Sequence, residues 1–128
     1  MIDWENLFRI DISNLNVSMQ LHEVVKLLLV MKLLNKHKVD RNYVRIYTAF
    51  SIKEEKRCDV YYENMKTKEV YAYEIQKKVS KSWVEKTKET YKEWAVPFMK
   101  TIDWVLIDLN KCPAEIPKIN EWLNQFVR

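Results

Sequence analysis

Two alternating runs joined by a short polar turn stand out in the stretch 57–78, RCDVYYENMKTKEVYAYEIQKK. Cys58, Val60 and Tyr62 alternate with Asp59, Tyr61 and Glu63, and Val70, Ala72, Glu74 and Gln76 alternate with Tyr71, Tyr73 and Ile75. Period-two alternation rich in Tyr, Val and Ile predicts a β-hairpin. A turn centred on Lys66-Thr67 places Asp59 directly opposite Glu74, with both side chains on one face of the sheet. Strand parity adds Gln76 and Lys78 to that face and turns Ile75 and Lys77 to the other.

The run 43–52, YVRIYTAFSI, alternates in the same way. It predicts a strand that leads through the charged turn KEEKR into the hairpin, giving a three-stranded antiparallel meander. In 18–35, Leu21, Val24, Val25, Leu28, Met31 and Leu34 recur at helical spacing, and Leu27, Leu29, Val30 and Leu33 widen the apolar arc. A largely buried helix with Ser18 as N-cap is expected. Ser82 and Glu85 read as a capping box opening a second helix, which runs to about residue 94 and has ended by Pro97. Its packing stripe is Val84, Thr87, Tyr91, Trp94 and Ala95. The apolar run 102–109, IDWVLIDL, predicts a central strand buried on both faces and reached by a β-α-β crossover. Ile116, Ile119, Trp122, Leu123 and Phe126 predict a C-terminal amphipathic helix with Pro117 in its first turn. The expected class is α/β with the order α-β-β-β-α-β-α in a single domain. Residues 1–17 form an N-terminal arm with Trp4, Leu7 and Phe8 as apolar contacts, 18–109 the core, and 113–128 the C-terminal helix.

Composition narrows the picture. The chain has 128 residues, 48% of them hydrophobic, which suits one domain with a real core and excludes a disordered chain. Its net charge of +4 suits a polyanion partner without requiring one. No apolar stretch reaches the roughly 20 residues of a membrane span and no signal-peptide pattern opens the chain, so an intracellular, cytoplasmic protein is expected, with Cys58 and Cys112 reduced. Glycine is absent, against an average of about 7%, which excludes Gly-rich phosphate loops. Turns at positive φ then fall to Asn, Asp or Lys.

The chemistry concentrates on acids. Two carboxylates opposite each other destabilise a ladder, so Asp59 and Glu74 require a compensating cation, either a basic side chain or a metal. The plainer alternative is a solvated hairpin face with an exposed ion pair. Glu23 is the only acid in the apolar first helix and is therefore a third candidate, unless it faces water beside Lys26 or the helix dipole. His22 and His37 read as isolated surface or core histidines. Lys81, Lys86, Lys88 and Lys92, interspersed with Glu85, Glu89 and Glu93, form either a solvated mixed-charge face or a DNA-facing one.

An acid in the first helix, Asp59 in the second strand and Glu74-Ile75-Gln76 in the third resemble the PD-(D/E)xK nuclease superfamily over residues 18–109. The version with Gln, followed by a helix carrying Tyr91, looks most like its Holliday-junction-resolvase, RecB-like and competence-type branches. Cys58 stands in place of the motif proline, and Thr87 where RecB-like members often carry Gln. The resemblance implies a restriction-endonuclease-like core and Mg²⁺- or Mn²⁺-dependent hydrolysis of phosphodiester bonds in DNA, structure-specific substrates included. Glu23, Asp59, Glu74 and the backbone carbonyl of Ile75 would hold the metal. Asp59, Glu74, Gln76 and Lys78 would carry catalysis, Lys78 standing in for the lysine that Gln76 replaces. Lys77, Lys81, Lys86 and Tyr91 would contact nucleic acid, with a homodimer as the assembly and no membrane partner. The alternative is a non-catalytic nucleic-acid-binding module on the same fold.

Overall fold

A computed structural model describes residues 17–128, so residues 1–16 of the expected N-terminal arm lie outside the described residues and Val17 opens the first helix. The order of elements is α1 (Val17–Lys36), β1 (Val44–Lys53), β2 (Lys56–Asn64), β3 (Glu69–Gln76), α2 (Lys81–Lys92), β4 (Thr101–Asp108) and α3 (Ile116–Trp122), with short 3₁₀ turns between and after them. This is the order the hydrophobic pattern predicts. The four strands form one mixed sheet in the order β1-β2-β3-β4, with β1, β2 and β3 antiparallel and β3 parallel to β4.

The sheet is covered on both faces. On one, Val25, Leu28, Leu29 and Leu33 of α1, with Ile119 of α3 and Leu123 after it, pack on Val60, Tyr62, Tyr73, Ile75, Val105 and Ile107. On the other, Tyr91 of α2 packs with Cys58, Tyr61, Val70 and Ala72. Burial of α1 follows the predicted arc, since Val25, Leu29 and Leu33 are fully enclosed. Ser18 already lies inside α1 and is not its N-cap. Ser80, not Ser82, caps α2: its hydroxyl accepts the Trp83 N–H at 3.1 Å. The expected box sits two residues too late because a serine at either position precedes the same apolar stripe. Ser82 lies within the first turn, and Glu85 is exposed beside Lys88.

Among the described residues, strand β4 is an edge strand, not a central one: there it pairs with β3 alone, and only Val105 and Ile107 of its eight residues are buried. The apolar run suggested burial on both faces, but the 12-residue helix α2 leaves Ile102, Trp104 and Leu106 only partly covered.

The hairpin register is the predicted one. Val60 pairs with Tyr73 and Asn64 with Glu69, and the turn between them is held by the Asn64 side chain, whose oxygen accepts the N–H groups of Lys66 and Thr67. The face of Asp59 is not as predicted. Between Thr48↔Val60 and Phe50↔Cys58 the β1–β2 ladder passes over Ala49 and Asp59, and Ala49 has φ 48°. Both strands change sides there. Val60 and Tyr62 face α1, whereas Cys58 and Phe50 pack with Tyr61 on the α2 side, although strict alternation would group Cys58 with Val60. A left-handed residue reverses the pleat, so parity counted across it fails. Left-handed backbone also occurs at Glu55, Lys68 and Phe98, so among the described residues Lys is the one residue type used of those expected to replace glycine.

Candidate functional site

The β2–β3 ladder ends at Val60 and Tyr73, one position short of Asp59 and Glu74. Beyond it the Asp59 carboxylate takes the place of a ladder bond, accepting the Ile75 N–H at 2.7 Å through Oδ2. Its other oxygen lies 3.0 Å from His22 Nε2 on α1. His22 Nδ1 is 3.3 Å from Glu23 Oε1, and Lys26 Nζ is 3.2 Å from Glu23 Oε2. Glu23 therefore reaches Asp59 only through His22.

Glu74 turns toward α2. Its Oε1 accepts the Tyr91 hydroxyl at 2.5 Å and lies 3.3 Å from Lys56 Nζ. The cation that the acidic pair requires is thus Lys56, at the first position of β2. It comes from the charged turn, which carried no site residue in the sequence reading. Lys78 does not fill that role by strand parity, because β3 ends at Gln76 and Lys78 lies exposed beyond it. Asp59 and Glu74 are register neighbours but do not share one sheet face: one is directed to α1, the other to α2.

Burial pushes the Glu74 carboxyl above its ordinary range, opposed by the Tyr91 hydrogen bond and the Lys56 charge. His22 is also raised, first by its hydrogen bond to Asp59. Burial, with Glu74 and Asp59 nearby, pushes the Cys58 thiol up to about 12, so Cys58 remains a neutral thiol and not a nucleophile. Tyr91 is raised by burial and by Glu74, and stays a phenol donor.

The remaining predicted residues are placed as follows. Gln76 is half-buried at the end of β3 on the side of Glu74. Lys77, Lys81 and Lys86 are exposed, and the Lys77 carbonyl accepts the Asn110 amide at 2.5 Å. Tyr91 is buried with its hydroxyl on Glu74, so its observed contact is with the acidic pair. His22 and Lys56 are the residues that the sequence reading missed. His22 gave no signal along the chain because its partner is 37 positions away.

Among the described residues, no group of three or more His, Cys, Asp or Glu side chains is arranged to hold a metal ion. A site for Mg²⁺ needs no such group, because one or two carboxylates completed by water suffice. Asp59 and Glu74 supply two hard oxygen donors at the open end of the β2–β3 ladder. The Ile75 carbonyl adds a third, since N–H and C=O of one residue leave a strand on the same side. The donor types suit a hard divalent cation, and holding one ion would require Asp59 and Glu74, now held by His22 and by Tyr91 and Lys56, to turn toward each other. Among the described residues no helix is long and apolar enough to cross a membrane. No protein-family model, curated protein or solved structure matches the chain at a significant level.

Proposed function

We propose that the chain is a metal-dependent nuclease that hydrolyses phosphodiester bonds in DNA on a restriction-endonuclease-like core. The observation that carries this reading is the opening of the β2–β3 ladder at Asp59. There two register-neighbouring carboxylates lie at one strand end, Asp59 directed to α1 and Glu74, with Lys56 beside it, to α2. Asp59, Glu74 and the Ile75 carbonyl would hold Mg²⁺ or Mn²⁺, which when bound lowers the pKa of a water and neutralises phosphate charge. Tyr91 fixes the rotamer of Glu74 through its hydroxyl. Lys56, 3.3 Å from Glu74, would supply the positive charge that the Glu74-Ile75-Gln76 segment lacks and stabilise negative charge developing as the phosphodiester is attacked. Gln76 can orient the attacking water by hydrogen bonding but cannot stabilise its charge.

One observation favours a second reading, a non-catalytic nucleic-acid-binding module: Asp59, Glu74 and Glu23 each already have a basic side chain of the protein beside them. Incubating the protein with labelled linear duplex, single-stranded and four-way-junction DNA, in Mn²⁺ or in EDTA, separates the two. Cutting that requires Mn²⁺ supports the nuclease. Salt-sensitive binding without cutting in either condition supports the binding module and overturns the nuclease.

A further inference from the structure

Between the end of β1 and the C-terminal end of α2 lies a cavity of about 350 Å³ lined by Ile52, Lys53, Thr90, Glu93, Trp94 and Ala95. Its size falls in the range of about 300–1,000 Å³ typical of small-molecule sites. Trp94 is its aromatic wall. The indole is held edge-on by two rings, Tyr91 at 5.4 Å and 72° and Tyr61 at 6.3 Å and 71°, yet it is only half-buried. Tyr91 is also the residue whose hydroxyl holds Glu74, so one ring separates this wall from the acidic pair. Lys53 on the opposite wall is the ladder partner of Lys56, which sits on Glu74.

We propose that this cavity seats an unpaired base of the DNA strand, next to the phosphate attended by Asp59, Glu74 and Lys56. The inference rests on the nuclease reading and adds the substrate class, a strand with at least one unpaired base. Three features select a base. A half-exposed indole fixed by its neighbours offers a stacking surface without further ordering. Glu93 on the rim repels a phosphate but accepts hydrogen bonds from the exocyclic amine of a base. At the hairpin end Lys53 and Arg57 are exposed beside Glu54 and Glu55, and Lys53 is the cation on the cavity wall that can meet the adjoining backbone. A paired base, stacked between its neighbours in a duplex, cannot enter a pocket of this size; an unpaired one can.

The test is binding in EDTA, without cleavage, of three fluorescein-labelled DNAs of equal length: a single strand, the same strand with one abasic site at its centre, and a duplex. Wild type is expected to bind the intact single strand about tenfold more tightly than the abasic one, the low end of what base–aromatic stacking contributes. Trp94→Ala should bring both strands to the abasic affinity with the salt slope unchanged. Ala95→Leu, which fills the cavity and leaves the aromatic packing in place, should do the same should Trp94→Ala unfold. A base preference that survives in Ala95→Leu overturns the pocket while leaving the nuclease reading intact. Wild-type protein that binds none of the three DNAs overturns the pocket, and cutting in Mn²⁺ decides the nuclease reading separately.

Discussion

Glu74 is held by a tyrosine of the helix on its own face and by a lysine of the neighbouring strand, and Asp59 by a backbone N–H and a histidine. The shifts of Glu74 and His22 run the same way. A carboxyl raised above 4.5 binds its proton more tightly in the folded state, so the stability Glu74 contributes is complete below 4.5 and is lost as pH rises through its raised value. His22, raised above 6.5, contributes stability present below 6.5 and lost as pH rises through its own folded value. The His22 ring protons, followed by NMR, should titrate above 6.5 in the wild type and move toward 6.5 in Asp59→Asn. An unchanged midpoint would remove the His22–Asp59 contact from the account. Ala49 provides the second residue-level test. A left-handed alanine is strained by roughly 1 kcal/mol relative to glycine. Ala49→Gly should therefore stabilise the protein to urea by up to about 1 kcal/mol, while Ala49→Val should destabilise it by more than that. The reverse order would mean that the pleat does not invert at this position.

At the scale of elements, the helix cap is the simplest discriminator. Ser80→Ala removes the acceptor for the Trp83 N–H and should cost about 1 kcal/mol in urea unfolding, whereas Ser82→Ala should stay within about 0.5 kcal/mol. Equal costs would restore the capping box at Ser82. The cap also illustrates what was legible in the chain. Helices, strands and the hairpin register could be read because apolar spacing and a four-residue polar turn closed by Asn64 are local signals. Three features were not local. The switch of faces at Asp59 depends on the backbone of Ala49 in a different strand, and alanine carries no mark of a left-handed position. The edge position of β4 depends on how many strands follow it, not on its own apolar letters. His22 and Lys56 acquire meaning only once α1 and the first hairpin fold against β3.

At the scale of the whole molecule, one sheet with α1 on one face and α2 on the other brings the site together from both layers. His22 and Glu23 come from α1, Tyr91 from α2, and Asp59, Glu74 and Lys56 from the strands between. The central claim is that the cation of this site is Lys56 and that it serves phosphodiester cleavage. Single-turnover cleavage of labelled DNA at saturating enzyme and Mn²⁺ tests it, comparing wild type with Lys56→Ala and Lys78→Ala. Loss of one electrostatic donor at the developing charge should cost on the order of 3 kcal/mol, a rate loss of roughly a hundredfold or more in Lys56→Ala. Lys78→Ala should cut within a few-fold of wild type, altering mainly affinity and its salt slope. No metal-dependent cutting by the wild type, or a Lys56→Ala variant as fast as wild type while Lys78→Ala is slow, would contradict the account.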